Sequence, residues 1–255
     1  MGHIDAPRAS ELSGLVASRA RRGVLWMHND SGDSATLLAT TTAGRTIAEV
    51  ALSGAENVDW EDIALGPGGA LLVGDIGDNA AERPSVVVYR VPEPRASDTT
   101  AVAARYELRY PDGARDAEAL LFDAATGSIV VVAKSFGGDG RVYVARRPSS
   151  RHVTTLRHRA TISLGPGEPV TGGDVSADRR TIALRTYDHA YVWRRRPGET
   201  IAAALRRRPC RVAADLRHEG QGEAIALTRG GRAFMTAPEG SRPALRRYES
   251  SVPAS

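Results

Sequence analysis

The sequence predicts an all-β fold, a five-bladed β-propeller of four-stranded antiparallel blades. One observation is a pattern that recurs with a period of about 50 residues, as propeller blades do. A second is that the apolar stretches have strand length and no stretch combines helical periodicity with helix caps. A third is that the 26 glycines and 14 prolines fall mainly between these stretches, where turns need them.

Five segments share the repeated pattern. Each has an acidic or glycine-rich lead, a short apolar strand, a turn with Gly or Asp, a longer apolar strand and a polar cluster. The clearest copy is residues 57–79. Equivalent positions are separated by 48, 57, 55 and 50 residues when the copies are aligned on Leu15, Ile63, Leu120, Val175 and Ile225.

The repeats define one domain over residues 1–255, with blades at about 11–56, 57–112, 113–168, 169–218 and 219–255. Third strands are predicted at 35–38, 86–89, 141–144, 190–193 and 244–248. Fourth strands are predicted at 46–52, 102–110, 154–164 and 210–216. The fifth copy lacks a fourth strand, so we expect N-terminal residues 3–9 to supply it and to close the ring.

The composition is typical of a soluble globular protein, with 42% hydrophobic and 25% charged residues. No apolar run is long enough for a transmembrane helix. The single cysteine excludes an intrachain disulfide and a cysteine-based metal cluster, and we expect Cys210 to pack within a strand. All 34 basic residues except Lys134 are arginine and are spread along the chain, which indicates solvated surface and no nucleic-acid partner.

Propeller topology predicts where the polar residues meet. The loop that enters a first strand and the loop that leaves a second strand lie on the same face of a blade. We therefore expect the leads to place four carboxylates at one mouth of the channel as metal ligands: Glu61, Glu118, Asp174 and Glu223. The polar clusters should form the next circle: His28, Asn29, Asp30, Asp75, Asp78, Asn79, Lys134, Tyr187, Asp188 and Glu239.

Three interpretations of this acidic mouth remain open. The carboxylates could bind a hard cation, Ca²⁺ or Mg²⁺, which takes oxygen ligands. A pair of them could act as the acid and base of a glycosidase, with members among Asp30, Asp75, Glu118 and Glu223. Individual carboxylates could simply accept hydrogen bonds from turn amides.

Three single residues allow two interpretations each. Lys134 could pair with a ring carboxylate or polarise a substrate oxygen, or it could be a lone surface lysine. His28 could be a general base or metal ligand, or a hydrogen-bonded residue at a strand end. Trp60 could form an apolar wall of the site or pack between blades.

Several motifs carry a resemblance to known propellers. They are HNDSGD at 28–33, DWEDIA at 59–64, GDIGDN at 74–79, DAEAL at 116–120, TGGD at 171–174 and GQGEA at 220–224. Together they resemble a bacterial β-propeller family that is common in actinobacteria. More distantly, they resemble calcium-dependent propellers of the phytase-like, lactonase and strictosidine-synthase-like groups. This resemblance implies metal-assisted hydrolysis. It also implies export, although the N-terminus shows no signal peptide.

The favoured function is hydrolysis of a small ester, lactone or phosphoester, assisted by a divalent cation such as Ca²⁺. The predicted catalytic residues are His28, Asp30, Asp75 and Lys134. The predicted binding residues are Trp60, Asp78, Asn79, Tyr187 and Glu239. The alternatives are a non-catalytic propeller that binds carbohydrate, peptide or protein on the same face, and a two-carboxylate glycosidase. We expect a monomer with a small-molecule ligand and no membrane or nucleic-acid partner.

Overall fold

Five sheets, antiparallel except for one short parallel strand in each of two, surround a central channel in the computed structural model, which describes residues 2–250. The first strand of each sheet lines the channel, and each of these inner strands contacts the inner strand of the next blade. The ring is closed because the inner strand of blade five also packs against that of blade one. The prediction of an all-β, five-bladed propeller is confirmed.

The strands follow the chain blade by blade. Blade one contains β1 Leu12–Ala17, β2 Val24–Asn29, β3 Thr36–Thr41 and β4 Thr46–Ser53. Blade two contains β5 Trp60–Leu65, β6 Leu71–Asp75, β7 Val86–Val91 and β9 Ala104–Arg109. Blade three contains β10 Ala117–Asp123, β11 Ser128–Ala133, β12 Asp139–Arg146 and β14 Arg157–Ser163. Blade four contains β15 Gly172–Val175, β16 Thr181–Arg185, β17 Ala190–Arg194 and β18 Cys210–Arg211. Blade five contains β19 Gly222–Leu227, β20 Ala233–Pro238 and β21 Arg246–Glu249.

Two short strands extend neighbouring blades and were not predicted. Strand β8, Thr100–Val102, pairs in parallel with β4 of blade one. Strand β13, Thr154–Thr155, pairs in parallel with β9 of blade two. The described sheets therefore have five, five, four, four and three strands rather than four each. Each added strand covers an otherwise open outer edge of the preceding blade.

The burial pattern explains why the middle strands read as continuous apolar runs. All six residues of β11 are buried, because each sheet packs a neighbouring blade on both faces. The outermost strand β14 instead alternates buried and exposed residues in its second half. Five separate clusters of buried apolar side chains fill the five interfaces between blades. Cys210 lies on the outer strand β18 and is exposed, so the expectation that it packs inside is wrong.

The N-terminal residues connect blade five to blade one without forming a strand. His3 makes an isolated bridge to Ala244, and Asp5 makes another to Arg45. Ile4 is fully buried within the cluster between these two blades. The contact lies at the place predicted for a closing strand, but it consists of isolated bridges. The part of the predicted fifth blade beyond Ser250 lies outside the described residues.

Helical structure is limited to short connections. The α-helix α1, Ile201–Ala204, links β17 to β18, and the hydroxyl of Thr200 caps it by accepting a hydrogen bond from the Ala203 N–H. Short 3-10 turns occur at Pro67–Gly69 and Arg217–Glu219. None of the helices formed by residues 2–250 has the length and apolar character needed to cross a membrane.

Candidate functional site

Four inner strands carry a β-bulge near their first residues. Their register against the second strand shifts at Ser13, Glu61, Glu118 and Glu223. A bulge leaves one residue unpaired and re-aims its side chain, and bulges are common beside active sites. Three of these four residues are glutamates on different blades. We call the end of the channel where they lie the acidic mouth.

The three glutamates are nearly inaccessible to solvent. Glu61, Glu118 and Glu223 expose only 2%, 1% and 6% of their surface. Carboxylate oxygens of Glu61, Asp116 and Glu118 lie within 4.8 Å of one another. A second group with the same spacing contains Asp30, Asp59 and Glu61, so Glu61 belongs to both groups.

Burial and mutual repulsion raise the pKa values of these glutamates. Burial raises the pKa of Glu61 to about 12, helped by the negative charges of Glu118 and Asp30. Burial, with the charge of Glu118, raises the pKa of Glu223 to about 9. Burial raises the pKa of Glu118 to about 7, although the Lys134 charge lowers it. Such a cluster holds protons near neutral pH unless a cation replaces them.

Lys134 brings a positive charge into the acidic mouth. Its Nζ lies 2.5 Å from Glu118 Oε1, and its side chain is only 10% exposed. Burial alone would lower the pKa of Lys134, but Glu118 and Tyr187 raise it above its usual value. The same nitrogen lies 5.7 Å from the centre of the Tyr187 ring and 6.0 Å from that of the Phe136 ring. Lys134 is therefore a fixed ammonium group beside two aromatic rings.

Two carboxylate oxygens of the mouth are buried without a hydrogen-bond partner among residues 2–250. They are Glu118 Oε2 and Glu223 Oε2. A buried acceptor left unsatisfied costs about 1–3 kcal/mol, and more when charged. Oxygen atoms of this kind are the ligands that Ca²⁺ and Mg²⁺ prefer. The donor set at the acidic mouth therefore fits a hard divalent cation.

Half-buried carboxylates form the rim of the mouth. Burial, together with the charges of Asp30 and Asp116, raises the pKa of Asp59 to about 6. The pKa values of Asp30 and Glu239 are also raised, chiefly by burial. Gly77 allows this crowding, because a Cβ there would lie 2.2 Å from an oxygen of Glu61. A carboxylate with a pKa near neutral is suited to accept a proton.

The loop after β6 uses its carboxylates to hold its own shape. Asp75 is buried and forms an ion pair with Arg83 at 2.8 Å. The Asp78 carboxylate accepts hydrogen bonds from the backbone N–H groups of Glu82 and Arg83, each at 2.9 Å. Asn79 is exposed. These contacts give Asp75 and Asp78 a structural role in the loop. The catalytic role of Asp75 and the binding role of Asp78 stay predictions.

His28 and Trp60 lie inside the protein rather than in the mouth. Both are fully buried, and their rings meet edge to face with centres 5.3 Å apart. His28 Nδ1 lies 2.9 Å from the Asn29 carbonyl oxygen, and burial lowers the pKa of His28 to about 4. Trp60 Nε1 donates to the Glu56 carbonyl at 2.9 Å. Neither side chain is accessible to solvent. The roles of His28 as a base and of Trp60 as a binding wall stay predictions.

Asp174 lies further along the channel than predicted. The Asp62 carboxylate accepts hydrogen bonds from the Leu120 and Gly173 amides, which places Gly173 level with Leu120. Asp174 is therefore deeper, and it accepts a hydrogen bond from the Leu227 amide at 2.7 Å. Strand β15 pairs with β16 without a register shift. Neither group of neighbouring carboxylate oxygens among the described residues includes Asp174, and its role as a metal ligand stays a prediction.

Three further residues belong to this end of the channel and were not predicted from the sequence. Asp59 and Asp116 each stand two positions before a bulged glutamate, so the shared Asp-x-Glu spacing is the signal that could have indicated them. Phe136 is 70% exposed beside Lys134, and no pattern in the sequence distinguishes it.

Comparison with known proteins supports the fold. No family model matches the chain, and no relative is found among the curated proteins. A gluconolactonase from Xanthomonas campestris has a similar structure, with a TM-score of 0.50, 11% sequence identity and coverage of 95% of this chain and 87% of that one. A protein from Bacteroides uniformis described as a 6-phosphogluconolactonase gives 0.48 and 14%, with 93% and 67% covered. Kuenenia stuttgartiensis hydrazine synthase gives 0.43 and 11%, with 88% and 61% covered.

These identities establish similarity of fold and nothing finer. The distant resemblance to lactonase propellers is thus found again at the level of the backbone. Membership of the actinobacterial family remains a prediction, since it rests on the motifs alone.

Proposed function

We propose that this chain is a propeller hydrolase that binds a divalent cation, with Ca²⁺ as the first candidate, and acts on a small lactone or ester. The observation that carries the proposal is the grouping of buried carboxylates from different blades: oxygens of Glu61, Asp116 and Glu118 lie within 4.8 Å of one another, and Glu223 Oε2 is buried without a hydrogen-bond partner among residues 2–250. Three buried glutamates from three blades repel each other, and one divalent cation would relieve that repulsion.

Glu61, Asp116 and Glu118, whose carboxylate oxygens lie within 4.8 Å of one another, would hold the cation. Glu223, whose charge acts on Glu61, and Asp30 at the rim would be further oxygen donors. When bound, a divalent cation in such a site polarises a substrate carbonyl or lowers the pKa of a water molecule. The glutamates must lose their protons to bind the cation. The affinity for the cation should therefore rise with pH.

The charge of the mouth favours a neutral substrate. Once the cation displaces their protons, the described carboxylates of the mouth carry more negative charge than Lys134 and one divalent cation carry positive charge, so a phosphoester would meet net negative charge. A lactone or an uncharged ester carries no such penalty. The fold similarity to a gluconolactonase agrees with this preference but does not establish it.

The side chains supply the remaining roles. Asp59, with a pKa of about 6, would accept a proton from water while the water oxygen bonds to the carbonyl carbon. Lys134 would donate hydrogen bonds to the carbonyl oxygen as it gains negative charge. The carbon–oxygen bond of the ester then breaks, and the leaving alkoxide takes up the proton. Phe136 and Tyr187 would contact the apolar part of the substrate.

The test is a hydrolysis screen with γ-lactones, δ-lactones, aryl esters, phosphoesters and aryl glycosides. Protein stripped with chelator should be inactive, and Ca²⁺, Mg²⁺ or Mn²⁺ should restore lactone or ester hydrolysis. Asp59→Asn and Lys134→Met should each reduce kcat by about 100-fold or more, the upper part of the range for removal of an acid–base or charge-stabilising group. The exposed Asp139→Asn is the matched control.

Other outcomes would contradict the proposal in different ways. Hydrolysis of aryl glycosides after chelation would favour the two-carboxylate glycosidase. Cation binding without turnover of any substrate would favour a non-catalytic propeller that binds its ligand at the same mouth.

A further inference from the structure

Several arginines lie at the end of the channel opposite the acidic mouth. Arg19, Arg179 and Arg229 lie in the turns that join the first and second strands of blades one, four and five. These turns are at the far ends of the inner strands from Glu61. A cavity of about 30 Å³ at this end is lined by Arg19, Arg229 and Asp174. We call this end the arginine mouth.

The positive charges of the arginine mouth are crowded. Burial, then the charges of Arg179 and Arg229, lower the pKa of Arg19. Arg19 Nε is buried without a hydrogen-bond partner among residues 2–250. Arginine crowding of this kind is relieved by an anion, as carboxylate crowding is relieved by a cation.

The nearby acidic groups are engaged in part, since Glu93 Oε2 is buried without a hydrogen-bond partner among residues 2–250 and the charges of Asp174 and Glu93 oppose the lowering of the Arg19 pKa. Both oxygens of Asp174 accept backbone N–H groups, those of Val175 and Leu227, each at 2.7 Å. One oxygen of Glu93 accepts the Trp26 indole N–H at 3.1 Å. These contacts use lone pairs that would otherwise be available to the arginines.

A groove of about 690 Å³ adjoins this mouth through Arg179. It is also lined by Arg180, Arg194, Arg196 and Arg232. Two acidic residues also line it: Glu199 is paired with Arg207 at 2.9 Å, and Asp178 accepts hydrogen bonds from the Ser176 hydroxyl and the Arg180 N–H. None of the residues that line the groove is aromatic. The volume of the groove is typical of a small-molecule site. Single-stranded nucleic acid is bound largely by stacking on aromatic rings, so the lining does not favour it.

We propose that the arginine mouth and the adjoining groove bind a small ligand that carries two or more phosphate groups. Guanidinium groups match phosphate oxygens with paired hydrogen bonds, which makes phosphate the anion best recognised by clustered arginines. Arginines at both the mouth and the groove require anionic groups at more than one point of the ligand. The inference does not depend on the hydrolase proposal, since it concerns the opposite face.

The test is calorimetric titration of inorganic phosphate, pyrophosphate and tripolyphosphate at about 50 mM and about 200 mM salt. The test variant is Arg179→Asn with Arg229→Ala; asparagine is used because Arg179 has a φ of 63°. The control is Arg157→Ala with Arg211→Ala, which removes two exposed arginines from outer strands. Thermal midpoints check that both variants are folded.

We expect tripolyphosphate to bind more tightly than phosphate, and the test variant to bind it at least about tenfold more weakly than the control, a difference of about 1.4 kcal/mol. Absence of binding at the lower salt concentration would overturn the proposal. So would an equal loss in both variants, because that would show a response to net charge only. Tighter binding of a short single-stranded oligonucleotide than of tripolyphosphate would overturn the choice of a small ligand.

Discussion

Lys134 Nζ lies 2.5 Å from Glu118 Oε1, so one of the three buried glutamates at the acidic mouth has a counter-charge on the chain. Among residues 2–250, no ion pair to Glu61 or Glu223 is formed. The negative charges of the mouth are therefore compensated in two different ways. Lys134 stabilises Glu118, while the remaining negative charge of the mouth needs protons or a bound cation.

Replacement of Lys134 by methionine should destabilise the protein in a pH-dependent way. Removal of one partner of a buried ion pair typically costs about 3–5 kcal/mol, because the other charge is left uncompensated. We expect a loss of about 3 kcal/mol in the free energy of unfolding at pH 8, measured by urea denaturation in chelator. The loss should shrink at pH 5, where Glu118 is protonated, since its pKa is about 7.

A second substitution tests the cause of that loss. Glu118→Gln added to Lys134→Met removes the stranded charge and should recover most of the lost stability at pH 8. An equal loss at pH 5 and pH 8, with no recovery in the double variant, would mean that Lys134 stabilises by packing alone.

Stability of the cation-free protein should fall as pH rises from about 5 to about 9. Folded Glu118 and Glu223 have pKa values of about 7 and about 9, above the ordinary value of 4.5. The folded state therefore binds more protons than the unfolded state. The resulting stabilisation is fully present below pH 4.5 and is lost as the pH rises through the folded pKa values of about 7 and about 9. Urea unfolding in chelator at several pH values measures it.

The dependence of the free energy of unfolding on pH should become weaker when a titrating group is removed. Glu223→Gln, which stays neutral, should flatten the fall in stability between pH 5 and pH 9 relative to wild type. Stability that rises over this window, or an unchanged slope in Glu223→Gln, would show that the glutamates do not hold extra protons in the folded state.

Gly77→Ala should impair the acidic mouth without changing its charge. The added Cβ would lie 2.2 Å from Glu61 Oε1 and 2.5 Å from Asp59 Oδ2, so both carboxylates must move. We expect calcium affinity to fall by about tenfold or more, a cost of at least about 1.4 kcal/mol, measured by calorimetry. Gly137→Ala is the control, because a Cβ there meets only the Ser135 hydroxyl at 3.5 Å. Equal affinity in the two variants would place the cation away from Glu61.

Asp62→Ala should be among the most destabilising single substitutions. Its carboxylate accepts the backbone N–H groups of Leu120 and Gly173, so it joins blades two, three and four across the channel. Each buried amide left without an acceptor costs about 1–3 kcal/mol. We expect a loss above about 3 kcal/mol in urea unfolding, against less than about 0.5 kcal/mol for the exposed Asp139→Ala. A loss similar to that control would contradict the role of Asp62 as a link between blades.

The sequence predicted the fold well because apolar strands and turns recur with the blade. The predicted third strands at 86–89 and 190–193 lie within β7 and β17. The short strands β8 and β13 were missed because two or three residues carry no periodic signal. The isolated bridge of His3 to Ala244 could not be distinguished from a strand, since backbone pairing leaves no side-chain pattern.

The site residues were predictable where equivalent residues of different blades lie at the same level along the channel. Glu61, Glu118 and Glu223 share a bulge after similar leads, and the oxygens of Glu61 and Glu118 lie within 4.8 Å of each other. Asp174 was misplaced because alignment on Val175 shifts blade four by two residues, about 7 Å along a strand. The burial of His28 and Trp60 depends on how blades one and two pack, which their own strands do not encode.

The most direct test of the account is a calcium titration of chelator-treated protein at pH 8, followed by binding heat and by the thermal midpoint. We predict a binding isotherm and a raised midpoint in the wild type and in Glu49→Gln, an exposed control on β4. Both signals should be lost in Glu61→Gln and in Glu223→Gln. Absence of heat and of any midpoint shift in the wild type with calcium, magnesium and manganese would contradict the central claim that the acidic mouth is a cation site.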